Sequence, residues 1–419
     1  MDHFHSQDNQ LYAEALPLTQ IAEQFGTPCF VYSRAALEHH YQAYEQALTG
    51  CDHLICYAVK ANSNLAVLSV LAQQGSGFDI VSGGELARVL AAGGAPDKII
   101  FSGVGKTLEE LTAAMDAGIH CFNVESPLEL EQLNTLALGK GEQAPVSLRV
   151  NPDVDAGTHP YISTGLKENK FGVSMEDALL LYRQAAQMEG IKILGVDCHI
   201  GSQLTSIDPF LAALERVLLL VDALSEEGIT ISHLDIGGGL GVTYKDETPP
   251  GADALVAQVR ALLGDRPLTL VLEPGRSICA NAGVLLTRVN NIKTNGEHRF
   301  AIVDAAMNDL IRPALYQAWM DVVPVVPNAA AESQRYDLVG PICESGDFIA
   351  RDRELAINTG DLLAVRSAGA YCFAMSSNYN TRNRAPEILV DGEHAHLARR
   401  RETYQDQLAL ESPLGQGEA

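Results

Sequence analysis

The residues of this chain that could do chemistry stand at equivalent places, each just past a short apolar run. The runs end near Lys60, Asp79, Ser102, Asn123, Asn151, His199, Gly237 and Glu273. Lys60 lies in Tyr57-Ala58-Val59-Lys60-Ala61-Asn62. An amine at the end of a buried strand is partly desolvated, and neutral amines form Schiff bases with aldehydes. An ordinary surface lysine is the competing account. Gly237, Gly238 and Gly239 follow Asp235-Ile236. Consecutive glycines let backbone N–H groups turn together towards an anion. Val242 occupies the last glycine position of a dinucleotide fingerprint, so that motif fails.

Glu273-Pro274-Gly275-Arg276 offers a carboxylate able to hold a protonated ring nitrogen, and a guanidinium fork for a substrate carboxylate. A structural Glu–Arg pair would need the same residues. His199 carries a flat ring that can stack on an aromatic cofactor, and Ser202 can donate to phosphate. Cys198 and His199 are neighbours on an extended run and face opposite sides, so no metal site is expected there. His3, His5, His394 and His396 fall in segments expected to be mobile ends, and no metal is expected.

Ser102-Gly103-Val104-Gly105-Lys106-Thr107 imitates a nucleotide-binding loop. That motif needs glycine five positions before Gly105, where the chain has Ile100. Thr107 and Glu110 instead read as a helix capping box.

The elements that must position these residues are eight apolar runs, at 54–59, 77–81, 98–102, 120–124, 146–150, 193–199, 233–236 and 268–272. Helical spacing fills the intervals, for instance 64–74 and 84–92. Eight strand–helix repeats predict an α/β fold, a parallel (β/α)8 barrel whose strand ends converge on one mouth. An open doubly wound sheet is the runner-up. Barrels commonly take phosphate at the loops after strands seven and eight, which is where the glycine run stands.

Beyond about residue 280 the runs 284–289, 300–303, 336–339, 361–365 and 388–390 are rich in Val, Leu and Ile, with turn residues between them. They predict a separate, mostly antiparallel β domain over 281–419, joined by 1–30, beside a barrel domain over 31–280. The connection 152–170 has no helical or strand period and is a candidate lid.

With 29 Lys plus Arg against 53 Asp plus Glu, the net charge of −24 argues against nucleic acid as a partner. The run Arg399-Arg400-Arg401 reads as a solvated element end. The eight cysteines form no C-x-x-C pair, as reduced thiols in the cytoplasm would. No signal peptide and no membrane-spanning run is expected.

Together the Lys60, His199–Ser202, Gly237–Gly239 and Glu273–Arg276 motifs resemble those of the alanine-racemase-like, fold type III pyridoxal-phosphate enzymes. Within that group, Asp304 to Tyr316, Cys343-Glu344-Ser345-Gly346-Asp347 and Gly369-Ala370-Tyr371 look like those of diaminopimelate decarboxylases. The likeness runs from about residue 10 to 400 with the motifs in the same order. It implies pyridoxal 5'-phosphate as cofactor, held covalently by Lys60, with His199 on the ring face and Glu273 at the ring nitrogen. Phosphate would fall to Ser202, to the backbone of Gly237, Gly238, Gly239, Gly275 and Arg276, and to Tyr371. Arg276, Arg312, Tyr316 and Tyr371 would hold the substrate's distal carboxylate end, Glu344 its distal amine, and Asp79 would support Lys60.

The reaction implied is decarboxylation of meso-2,6-diaminopimelate to L-lysine, with Cys343 as the acid that reprotonates Cα. A homodimer is implied as well, Cys343 and Glu344 reaching the other protomer's barrel mouth. A buried, inert Cys343 is the plain alternative. A racemase on the same fold would place arginine, not Glu273, at the ring nitrogen. Ornithine or arginine decarboxylases would have no use for the Arg276, Arg312 and Tyr316 clamp, and a cofactor-free regulatory paralogue no use for Lys60.

Overall fold

The computed structural model describes residues 3–155, 164 and 169–414. Most of the connection 152–170 lies outside the described residues, and with it the candidate lid.

The chain forms two compact units, one of Leu37–Ile278 and one of Met1–Ala36 with Cys279–Ala419. The first is a closed parallel barrel. Its strands are His53–Ala58, Gly77–Ile80, Ile99–Phe101, Cys121–Val124, Ala144–Asn151, Ile191–Asp197, His233–Asp235 and Thr269–Leu272. Each pairs in parallel with the next, and the eighth returns to the first through Leu272 opposite Ile55. All eight expected runs are therefore barrel strands, and the open-sheet alternative is excluded.

Local sequence explains where the barrel helices begin. Asn64, Ser82, Thr107, Ser126 and Ser174 each accept a hydrogen bond from an N–H of the first turn that follows. A side-chain cap of this kind contributes about 1 kcal/mol. Thr107 and Glu110 form the expected capping box in full. The long helix Asp208–Glu226 buries Phe210, Leu214, Val217, Val221 and Leu224, one face at helical spacing.

In the other unit one sheet runs in the order Phe348–Ala356, Ser333–Val339, His298–Val303, Gly283–Asn295, Cys29–Ser33, Glu387–Asp391, His394–Arg399. Most of its pairings are antiparallel. The N-terminal segment is built into this unit's core, where Leu11, Leu18, Cys29 and Val31 pack with Val284, Leu286 and Ile388. Phe348–Ala356 and His394–Arg399 are among the strands that escaped the sequence pattern. Both are edge strands with charged side chains, which expose one face and blunt the apolar signal.

His5 lies in the strand Phe4–Gln7, and His394 and His396 in the strand His394–Arg399. Those histidines are paired sheet residues and not parts of loose ends, which corrects the expectation. Arg399 pairs with Glu402, Arg400 with Asp406, and Arg401 donates to the Pro28 carbonyl, so the basic run is occupied within its own unit. Among the described residues no helix is long and apolar enough to cross a membrane.

Candidate active site

Barrel strands alternate inward and outward, so residues two apart share a face. Cys56, Ile100, Cys121 and Val271 form one apolar interior layer. Two residues further along the same strands come Ala58, Ser102, Asn123 and Glu273. Asp197 and Asp235 stand directly opposite each other on strands six and seven. The mouth therefore rests on a polar layer set on an apolar floor. Glu273 is 4% exposed, and its Oε1 accepts long hydrogen bonds from Ser102 Oγ at 3.5 Å and Asn123 Nδ2 at 3.4 Å.

Lys60 sits on the turn Val59–Ala61 that ends the first strand. The turn is tied back by the Tyr57 hydroxyl, which donates to the Asn62 carbonyl at 3.0 Å. Lys60 Nζ donates to Asp79 Oδ2 at 2.7 Å, and Asp79 is fully buried whereas the lysine side chain is 34% exposed. Desolvation was the influence read from the residues themselves, and support from Asp79 was implied by the resemblance. In the structure that support is a buried carboxylate which fixes where the amine points.

The glycine run turns sharply, with φ of +69° at Gly237 and +113° at Gly239. At Gly238 a Cβ would lie 2.1 Å from the Glu273 carbonyl oxygen, so only glycine lets strands seven and eight close here. Gly237 N–H donates to Asp235 Oδ1 at 2.8 Å, and Gly238 N–H donates to His199 Nδ1 at 3.2 Å. A backbone donor leaves that ring nitrogen no proton of its own, which keeps His199 neutral. Burial pushes the His199 pKa well below its ordinary value, helped by the positive Lys60 and Arg149.

Arg276 is 7% exposed and donates to Ser202 Oγ at 3.2 and 2.9 Å and to the Tyr244 hydroxyl at 2.7 Å. A serine hydroxyl and a glycine turn at the ends of strands six and seven form a donor set suited to a phosphate dianion, and the guanidinium beside them can meet a carboxylate. Tyr244 had no signal in the sequence, because it stands in an irregular segment.

Three carboxyls crowd behind this site. Ligand oxygens of Asp197, Asp235 and Glu273 lie within 4.8 Å of one another, all buried. Burial and the neighbouring negative charges of Asp235, Asp79 and Asp197 push Glu273 well above the usual carboxylate range. A cationic ring N–H placed against Glu273 would relieve that repulsion, so this residue fits the partner expected of it. Asp197 and Asp235 were missed in the sequence, although a charged residue ending an apolar strand run is itself a signal.

In the second unit, Arg312 begins the helix Arg312–Tyr316, is 6% exposed and lies against Met320 Sδ. The Tyr316 hydroxyl lies 4.0 Å from Met375 Sδ. Tyr371 has a left-handed φ of +56°. Cys343 is exposed, with its N–H on Asn380 Oδ1 at 2.8 Å, whereas Cys29, Cys56, Cys121, Cys198, Cys279 and Cys372 are buried and no cysteine is in a disulfide. That exposure removes the inert-core account of Cys343. Glu344, also exposed, hydrogen-bonds with Tyr379.

A barrel mouth that joins a lysine, a buried carboxyl and a glycine turn beside a guanidinium is the set of groups expected of a pyridoxal-phosphate enzyme. Residues 34–280 match the family described as pyridoxal-dependent decarboxylase, pyridoxal binding domain. The chain is 64% identical to a diaminopimelate decarboxylase of Pseudomonas aeruginosa, over 99% of this chain and 100% of that one. It is 57% identical to that of Vibrio cholerae, with the same coverage. A crystal structure of the M. jannaschii diaminopimelate decarboxylase in complex with L-lysine superposes with a TM-score of 0.93 at 39% identity, covering 98% of each chain. The chain belongs to the diaminopimelate decarboxylase family.

Proposed function

We propose that the protein decarboxylates meso-2,6-diaminopimelate to L-lysine and carbon dioxide with pyridoxal phosphate. Glu273 is the observation that carries the reading: a buried carboxyl, not a cation, closes the floor of the lysine-bearing mouth. When bound, the cofactor supplies a protonated aromatic ring that accepts the electron pair left as carbon dioxide departs.

Lys60 provides the amine that attaches the cofactor, oriented by Asp79. His199, neutral, packs on the ring face, and Glu273 retains the proton on the ring nitrogen. Ser202, the Gly237–Gly239 backbone, the Gly275 and Arg276 backbone and Tyr371 bind phosphate. Arg276, Arg312, Tyr316 and Tyr371 clamp the distal carboxylate end, and Glu344 accepts from the distal amine. Substrates lacking that carboxylate leave a charged clamp unpaired, which supplies discrimination. Cys343 Sγ delivers the proton to Cα. The protein works as a cytoplasmic homodimer in which Cys343 and Glu344 of one protomer complete the other's barrel mouth.

Purified protein given cofactor and meso-diaminopimelate should release carbon dioxide and L-lysine, and borohydride should fix the cofactor on Lys60. Faster turnover of ornithine or arginine would overturn the substrate, and a label elsewhere would overturn Lys60.

A further inference from the structure

Cys343 and Glu344 stand on a turn whose base is pinned by one buried carboxylate. Asp347 is 3% exposed, its Oδ1 accepts from Met307 N–H at 2.7 Å, and its Oδ2 accepts from Ile342 N–H at 2.8 Å. Above that base the chain is tight. Glu344 N–H donates to the Ile342 carbonyl at 2.8 Å, and Asp347 N–H to the Glu344 carbonyl at 3.2 Å. The first of these bonds closes a three-residue turn centred on Cys343. Such a turn employs the groups on either side of its central residue, so the N–H of Cys343 takes no part in it.

Asn380 meets that N–H. Its Oδ1 accepts from Cys343 N–H at 2.8 Å, although the two residues stand 37 apart in the chain. Asn380 has left-handed backbone angles, φ +53° and ψ +27°, and Thr381 beside it has φ +57°. Asparagine is one of the few side chains that tolerate this region, and glycine takes it without cost. The segment presenting Asn380 is itself cross-linked. Thr381 N–H donates to the Asn378 carbonyl at 2.7 Å, and Asn378 Nδ2 donates to the Arg382 carbonyl at 3.0 Å and to Glu402 Oε2 at 2.7 Å. Tyr379, one residue earlier, hydrogen-bonds with Glu344.

We propose that Asn380 is a positioning residue that holds the Cys343 peptide and so fixes where the thiol stands for proton delivery. This role rests on the assignment of Cys343 as proton donor made above. A peptide whose N–H is bonded to a fixed acceptor cannot swing about its turn. The Cα–Cβ bond of Cys343 is then fixed in direction, and Sγ has only the χ1 rotamers left to it. Asp347 alone does not achieve this, because its bonds reach Ile342 and Met307 and not Cys343 itself.

Two variants separate the hydrogen bond from the backbone shape. Asn380→Gly keeps the left-handed φ and removes the acceptor. Asn380→Asp keeps an acceptor oxygen on the same frame, and its charge favours the protonated form of a thiol beside it. With holoenzyme and meso-diaminopimelate, kcat should fall roughly 10- to 100-fold in Asn380→Gly. KM should change little, because Glu344 keeps its bond with Tyr379. Asn380→Asp should recover most of the lost kcat, whereas a side chain retained only for its backbone angles would leave Asn380→Gly unimpaired. Exchange of the Cys343 amide proton, followed in holoenzyme carrying nitrogen-labelled cysteine, should quicken in Asn380→Gly and not in Asn380→Asp. A kcat within about threefold of wild type in Asn380→Gly, a change in KM alone, or equal losses in both variants overturns the proposal. Cys343→Ala distinguishes the two readings. If it is unimpaired, the thiol has no role to be positioned for; if it is impaired beside an unimpaired Asn380→Gly, only the role of Asn380 is lost.

Discussion

Replacing Gly238 by alanine tests whether the closure of strands seven and eight positions the site. The new methyl would meet the Glu273 carbonyl oxygen at 2.1 Å and its carbonyl carbon at 3.0 Å, both backbone atoms. Ordinary contact begins near 3.4 Å, so the oxygen alone must retreat by about 1.3 Å. That retreat is resisted, because Glu273 N–H is bonded to the Gly237 carbonyl at 2.8 Å and Gly237 N–H to Asp235. Overpacking of this kind costs about 1–3 kcal/mol of stability. A shift of about 1 Å at a reacting centre costs roughly 100-fold in rate. The assays are kcat/KM, cofactor affinity by dialysis, and thermal melting. Gly139→Ala is the control, since Gly139 lies in the helix Pro127–Lys140 with nothing within 4 Å of its added methyl. It should gain roughly 0.5–1 kcal/mol. Gly238→Ala with kcat/KM within about threefold of wild type would refute the reasoning.

Lys106→Met should destabilise by about 3–5 kcal/mol, because it strands buried Glu129, which Lys106 Nζ meets at 2.7 Å; a change of the denaturant midpoint equivalent to under about 1 kcal/mol would count against this. Burial holds the His233 pKa down at about 3, so the unfolded chain takes up the proton first as pH falls below its ordinary 6.5. The stability contributed is complete above that value and is lost between about 6.5 and 3, up to about 5 kcal/mol. Urea unfolding against pH should therefore be flatter over that window in His233→Gln, and equal slopes would exclude His233 as the source. Cys343→Ala should lower turnover by about 100-fold or more if the thiol delivers the Cα proton, with KM little changed; unchanged turnover removes that role.

Much of this was legible along the chain because local signals agreed with the fold. The eight apolar runs, the cap at Thr107 and the glycines after strand seven are short-range patterns that tertiary contacts reinforce. The same agreement unmasked Lys106, whose loop looked like a phosphate cradle and is a structural ion pair. Charged edge strands such as Phe348–Ala356 hid, since an edge exposes half its residues and loses the apolar period.

Residue types and their order along the chain were enough to name the chemistry: an amine, a glycine turn, a carboxyl and a guanidinium, one after another at strand ends. Their partners were not in the order. Tyr244 and Ser202 against Arg276, and Asp197 and Asp235 behind Glu273, arise from barrel closure, which sets register between strands far apart in sequence. Burial then turns those neighbours into shifted proton affinities. A linear pattern carries side-chain identity, whereas dielectric and distance belong to the folded interior.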